Sequence, residues 1–215
     1  MPSWQGRGLV TKYIRVADDW KCLDGSPIKQ IRWVGTYPGW MNSATSKIDP
    51  PPDVPSSFIL RMYEYEAGSP SGKPGNLIAE EVCSSYSQDW KGFILLWSNP
   101  SSYQHLFSYE CNLSTPWVQE EGKTYFISIM ASFSSVQPEY EWAWLNACSF
   151  HWNDDALRKQ NSEGEWIELV WPSGHRLEGQ SMDMRFELWT RGPTPTPTRY
   201  AIRLQLVFKD SKAWW

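Results

Sequence analysis

Alternation of apolar and polar residues over short segments is the feature that most constrains how this chain can fold. The clearest case spans residues 125–133, where Tyr125, Ile127 and Ile129 share one face and Ser128 lies on the other. A period of two residues is the pattern of a half-buried β-strand. No run of ten or more residues shows the apolar repeat of 3.6 that an amphipathic helix requires, so helices are not expected.

Clusters of Gly, Pro, Ser and Asn separate these segments, which is typical of sandwiches and barrels. We therefore predict an all-β domain over residues 1–190, a two-layer antiparallel β-sandwich of the jelly-roll or Greek-key type. Phe58, Leu60 and Met62 form a second inward-facing row. The predicted strands span residues 10–17, 28–35, 58–65, 77–83, 92–97, 105–113, 124–133, 141–149, 166–171 and 182–190.

Charge and hydropathy exclude two classes of partner. The formal net charge of the 215 residues is −4, and basic residues form no stripe, so nucleic acid is not an expected partner. The longest apolar run, residues 93–97, is far too short for a transmembrane helix, so no membrane insertion is expected. Residues 1–5 lack the basic and apolar regions of a signal peptide.

The four cysteines are widely spaced, and none forms a CxxC pair of the kind found in zinc ribbons or thioredoxin-like sites. Two disulfides would allow three connectivities, and the sequence does not choose among them. Cys111 alternates in phase with Phe107 and Tyr109, so we expect it to pack as a small core residue.

The segment 191–215 is predicted to be an extension separate from the sandwich. A strict Pro-Thr alternation over residues 193–198 should be stiff and extended, reaching about 19 Å at roughly 3.1 Å per residue. An amphipathic strand is predicted after it, over residues 200–209. Its apolar side chains are Tyr200, Ile202, Leu204, Leu206 and Phe208, and the chain continues to Trp214 and Trp215.

An exposed apolar strand is prone to pair with another chain, so the predicted strand 200–209 is expected to dock. Three places are open to it: its own domain, another copy of the chain, or a second domain that it begins. Pairing with another copy gives the first functional hypothesis. The protein would be a non-catalytic structural module that forms a filament or other oligomer by strand addition, with Trp214 and Trp215 as anchors.

Tryptophan is unusually abundant, with fifteen residues. Those phased into predicted strands are expected in the core: Trp33, Trp97, Trp144 and Trp166. Others lie in turn-rich segments and are expected to be exposed, among them Trp40, Trp117 and Trp152. The second hypothesis is therefore a carbohydrate-binding module in which these three tryptophans form a platform for a polysaccharide.

Catalytic motifs are absent from the sequence, so we do not expect an enzyme. There is no G-x-S-x-G elbow and no HExxH motif. His105 is expected to be structural, and His175 to be solvated in a turn. Asp154 and Asp155 could supply oxygens to structural calcium, the only cofactor left open, although capping of a turn by their side chains is the favoured explanation.

Two blocks resemble a known family. They are Ala17-Asp18-Asp19-Trp20 and His151-Trp152-Asn153-Asp154-Asp155-Ala156. Together with the intervening segments, they resemble an uncharacterised domain family of exported, planctomycete-type bacterial proteins, over about residues 4–190. The resemblance implies a β-sandwich in an extracellular or cell-surface setting. It implies no activity and no catalytic residues.

Overall fold

The computed structural model describes residues 15–190, except residues 42, 45, 69–71, 97–98, 136, 148–154, 160–163, 172 and 176. Within these residues the chain forms thirteen β-strands and no helix. The strands are β1 (Arg15–Lys21), β2 (Ile28–Thr36), β3 (Ser57–Glu66), β4 (Lys73–Cys83), β5 (Ser87–Leu96), β6 (Asn99–Trp117), β7 (Thr124–Ser132), β8 (Ala143–Trp144), β9 (Asn146–Ala147), β10 (Leu157–Lys159), β11 (Ile167–Glu168), β12 (Asp183–Met184) and β13 (Phe186–Trp189).

Two antiparallel sheets hold most of these strands. The first has six strands in the order β11-β10-β1-β7-β3-β4, and the second joins β13-β2-β6-β5, with β8 also pairing with β2. A small ladder of β12 and β9 completes the pairing. The sheets are open, and their packing is that of a β-sandwich, so the predicted all-β fold class is confirmed.

The core lies between the two sheets and is built largely from aromatic rings. Phe58 on β3 contacts Trp33 on β2 edge-on, with ring centroids 5.0 Å apart, and lies 5.1 Å from Tyr109 on β6. Trp142 packs against Phe58 at 5.0 Å. Each of these four side chains is at most 1% exposed. Aromatic pairs at such separations stabilise the contact beyond simple area burial, which gives Trp33 and Trp142 a structural role in the core.

The predicted inward-facing rows are confirmed. Phe58, Leu60 and Met62 are fully buried in the core, as are Tyr125, Ile127 and Ile129. Trp33 and Trp144 are also in the core. Trp97 lies outside the described residues.

The outer face of the six-stranded sheet is also partly buried, which the alternation did not indicate. Phe126 is fully buried there beside Ala17, Tyr63 and Leu157. Trp166 covers this outer cluster and is only half-buried. The prediction that Trp166 belongs to the main core is therefore wrong, because its strand segment lies at the far edge of the sheet.

Several predicted strands differ in length from those observed. The described part of the segment predicted at 141–149 forms the short strands β8 and β9, and the segment predicted at 166–171 forms β11 and an isolated bridge at Val170. The segment predicted at 182–190 divides between β12 and β13, which belong to different sheets. Residues 10–14 lie outside the described residues.

Cys111 does not pack as a free thiol. It forms a disulfide with Cys83, which joins β6 of one sheet to β4 of the other. Cys111 is buried as expected. The alternation pattern predicts which way its side chain faces, but not that another cysteine lies beside it. Cys22 is buried with a free thiol, and Cys148 lies outside the described residues.

Candidate assembly edge of the sandwich

Two long edge strands, β4 and β5, lie on the same side of the sandwich. Each is the last strand of its sheet, and only residues 84–86 connect them. The Cys83–Cys111 disulfide closes this corner. Edge strands expose unpaired backbone N–H and C=O groups, which are a template for another strand.

The β4 edge carries more apolar surface than a protected edge normally does. Leu77, Ile78 and Val82 are 50%, 43% and 55% exposed. Ile59 on β3 is the cross-strand partner of both Val82 and Met130, so these three side chains form one row across β4, β3 and β7. The row faces outward, since the neighbouring Phe58 and Leu60 face the core.

Residues 79–83 of β4 pair with residues 58–62 of β3 without a register shift. A regular stretch of this kind can accept a further strand. Glu80 lies on the same outer face and forms an ion pair with Arg61, with Nε and Oε2 2.6 Å apart. Glu81 accepts hydrogen bonds from the backbone N–H and the hydroxyl of Ser114. The edge is therefore apolar with an acidic centre.

The β5 edge is less suited to accept a strand. Its ladder with β6 shifts between Trp90 and Gly92, and Gly92 has a φ of 123°. Lys91 lies within this irregularity. Bulges and lysines are common devices that block pairing at an edge. Leu95 is nevertheless 51% exposed.

The described chain ends on the opposite side of the sandwich from these edges. Residue 190 follows β13, and β13 and β5 are the two ends of the same sheet. Three interstrand spacings of about 4.8 Å separate them, or about 14 Å. The predicted assembly residues lie outside the described residues: Tyr200, Ile202, Leu204, Leu206, Phe208, Trp214 and Trp215.

The two described residues of the predicted glycan platform, Trp40 and Trp117, lie near opposite ends of β2. Trp117 is 4% exposed and pairs with Ile28 at the beginning of β2, so the expectation that it is exposed is wrong. The Ser-Thr-Pro sequence before it suggested a turn, yet β6 continues through it. Trp40 follows the end of β2 and is partly buried, with its Nε1 donating to the carbonyl of Asp49 at 3.1 Å. Trp152 lies outside the described residues.

His105 and His175 both make defined contacts in the structure. His105 is buried, and its Nδ1 accepts the indole N–H of Trp90 at 3.0 Å, which confirms a structural role. Its Nε2 lies 3.0 Å from the carbonyl of Ser43. His175 is half-buried, stacks on Trp171 at 4.0 Å, and accepts the N–H of Leu177, so it is more ordered than a solvated turn residue.

Two buried carboxyl groups, Asp18 on β1 and Asp183 on β12, lie close together, whereas the buried Asp19 alternates with Asp18 and faces the other side of β1. Asp18, Asp19 and Asp183 are 3%, 2% and 6% exposed. Asp18 accepts the N–H groups of Asp19 and Met184. Burial, followed by the negative charge of Asp183, raises the pKa of Asp18 well above its ordinary value. The sequence predicted a strand over residues 10–17 that ended before Asp18 and Asp19, whereas β1 extends through both of these residues and buries them.

Metal binding finds no support among the described residues. Within them, no three His, Cys, Asp or Glu side chains are grouped so as to hold a metal ion. Asp155 is half-buried and interacts with other groups, and Asp154 lies outside the description. The described part of the chain also contains no helix long and apolar enough to cross a membrane.

The sequence model of a domain of unknown function, DUF7901, matches residues 4–189. No curated protein and no solved structure gives a significant match to the chain.

Proposed function

This chain belongs to the DUF7901 family, a domain of unknown function, and from that premise we propose that it is a non-catalytic structural module that self-assembles. In this proposal, the predicted strand 200–209 of one copy adds to β4 of a neighbouring copy. The observation that carries the proposal is the exposed apolar β4 edge, with Ile78 and Val82 uncovered on its outer face.

The side-chain chemistry of the two strands is complementary. The predicted strand alternates an apolar face with Arg203, Gln205 and Lys209. The β4 edge offers the apolar side chains of Ile78 and Val82 on either side of Glu80, whose carboxylate also pairs with Arg61. Added strands gain affinity from main-chain hydrogen bonds and specificity from alternate side chains.

Residue 190 leaves the sandwich at β13, on the side opposite β4, so a strand that follows it can reach a neighbouring copy as readily as its own β4. A tail that returned to β4 of its own domain would have to pass over one face of the sandwich. A tail that leaves at β13 can instead meet β4 of a copy placed beside it, with a spacer that reaches about 19 Å. Such a contact joins two different surfaces, so repetition produces a filament, or a ring if the rotation closes.

We also propose that the protein is exported and that it works in an oxidising, extracellular or cell-surface setting. The inter-sheet disulfide supports it, because structural disulfides persist mainly in oxidising compartments.

The test compares the full chain with Val82→Lys, which places a charge on the β4 edge. Light scattering over a wide concentration range and electron microscopy should show assembly of the wild type and its loss in Val82→Lys. Val118→Lys is the matched control, because Val118 is 74% exposed but follows β6 away from this edge. Deletion of residues 193–215 should also give a monomer. A wild-type chain that stays monomeric at all concentrations rules out the proposal.

A further inference from the structure

The outer face of the five-stranded sheet carries an ordered array of polar side chains and one indole. Cross-strand partners place Trp189, Gln30 and Asn112 in one row across β13, β2 and β6. Glu187, Arg32 and Glu110 form the adjacent row. These residues face outward, because the residues that alternate with them on β2 and β6 are in the core.

Gln30 organises the centre of this array. It is 8% exposed, and its Nε2 donates to Glu110 Oε1 and to Asn112 Oδ1, both at 2.8 Å. Arg32 Nε lies 2.6 Å from Glu110 Oε2, an ion-pair contact without the angle of a hydrogen bond. Glu110 and Asn112 are therefore held in fixed positions before any ligand arrives.

Trp189 is tied into the same network at the edge of the sheet. Its Nε1 donates to Glu187 Oε2 at 3.0 Å, and the guanidinium carbon of Arg32 lies 4.1 Å from the indole centroid. The indole is only partly buried, so apolar ring surface remains available beside the polar rows. A ring fixed by two partners loses little conformational entropy when a ligand stacks on it.

Hydrogen-bonding capacity remains on this face. A guanidinium has five N–H donors and a carboxylate about four acceptor sites, more than the contacts described here occupy. The side chains of Arg32 and Glu110 are 37% and 33% exposed. Asn112 is exposed as well. Donors and acceptors placed alternately beside a flat apolar ring match the hydroxyl groups and the C–H face of a sugar.

Charge indicates which sugars fit. The two rows contain two carboxylates and one guanidinium, so the face favours a neutral ligand over an acidic one. We propose that the outer face of the five-stranded sheet binds a neutral oligosaccharide, which stacks on Trp189, receives hydrogen bonds from Arg32 and Asn112, and donates hydrogen bonds from its hydroxyl groups to Glu110. This site shares no residue with the β4 edge, and it is separate from the predicted platform of Trp40, Trp117 and Trp152.

The experiment uses affinity electrophoresis of the full chain in gels that contain soluble neutral polysaccharides, namely a β-glucan, a xylan and a mannan. A polygalacturonate gel provides the acidic comparison. Retardation is expected in at least one neutral gel and not in the acidic gel. Trp189→Ala and Asn112→Ala should each weaken the interaction about tenfold or more, which corresponds to the loss of one good contact.

Trp166→Ala is the matched control, because Trp166 is a half-buried tryptophan on the outer face of the other sheet with Lys159 over its ring. Thermal unfolding of each variant establishes that it is folded. Absence of retardation in every neutral gel would overturn the proposal. So would binding that survives both Trp189→Ala and Asn112→Ala, binding that Trp166→Ala weakens equally, or binding only to polygalacturonate.

Discussion

The carboxylate of Asp18 accepts the backbone N–H of Met184 at 2.7 Å, although the two residues are 166 positions apart in the chain. The second oxygen of Asp18 accepts the N–H of Asp19 at 2.9 Å. The hydrogen bond between Asp18 and Met184 therefore links β1 to β12 through a buried carboxylate. Asp183 lies close enough for its charge to raise the pKa of Asp18, in addition to the larger effect of burial.

Asp18→Asn should increase stability at neutral pH. The amide oxygen can still accept one of the two N–H groups, and removal of the buried negative charge and of its repulsion from Asp183 should outweigh the loss of the other hydrogen bond. Asp18→Ala should instead lose about 1–3 kcal/mol, because two buried N–H groups lose their acceptor. Chemical unfolding of the three proteins at about pH 7 measures both changes. A less stable Asn variant would contradict the proposed effect of the charge.

Asp18→Asn should also weaken the dependence of the free energy of unfolding on pH. The pKa of Asp18 in the folded protein is raised above its ordinary value of 3.8. At pH values between 3.8 and the folded pKa, the folded protein therefore holds a proton on Asp18 that the unfolded chain has released. This contribution to stability is therefore greatest below pH 3.8 and falls as pH rises through the folded pKa. Unfolding curves between about pH 4 and pH 7 should show a smaller decrease in Asp18→Asn than in the wild type.

Gly35→Ala should destabilise the core by about 1–3 kcal/mol. A Cβ atom at residue 35 would lie 2.2 Å from Nε1 of Trp142, a distance that requires the buried ring to move. Trp142→Phe supplies the control, since a smaller ring leaves room for the added methyl group. The double variant should lose less stability than the sum of the two single variants in thermal unfolding.

Gln119→Ala should cost about 1–3 kcal/mol, since a buried indole N–H and a half-buried carbonyl would lose their hydrogen-bond partner. Oε1 of Gln119 accepts the indole N–H of Trp20 at 3.0 Å, and its Nε2 donates to the carbonyl of Ser26 at 2.6 Å. Gln119→Glu keeps the first bond but sets a carboxylate oxygen against a carbonyl. Both variants should lower the midpoint of urea unfolding, whereas Gln137→Ala, in an exposed loop, should leave it unchanged.

Removal of the Cys83–Cys111 disulfide by a double alanine substitution should cost about 3–4 kcal/mol in the chain-entropy description of a loop closed over 28 residues. A reducing agent should have a similar effect on the wild type. Cys22→Ala is the comparison, because Cys22 has a buried free thiol and closes no loop. Equal unfolding midpoints for the double variant and the wild type would contradict this contribution.

The alternation predicted which residues of β7 face the core, but not that the other face of this strand is covered. Ile127 and Ile129 are buried against the opposite sheet, and their spacing indicated this directly. Phe126 and Ser128 are also buried, because a second layer covers the outer face of β7. Alternation cannot reveal a strand that is buried on both sides.

The polar features were harder to predict, because they depend on contacts between distant segments. Asp18 and Met184 meet only after the sandwich has formed. The array around Gln30 requires the register of β13, β2 and β6, which a single sequence does not specify. Trp189 lies in a segment predicted as a strand, but of its polar neighbours only Glu187 belongs to that strand, while Arg32 and Gln30 come from β2.

The bond between Cys83 and Cys111 has a mechanical consequence. Without the disulfide, β4 would be held in its sheet only by its pairing with β3. Tension on β4 could then break the backbone hydrogen bonds of this pairing one pair after another. The sulfur bridge carries a pull on β4 directly into β6, so both layers must yield together. If successive copies are joined through β4, each domain would resist tension as a single piece along the whole polymer.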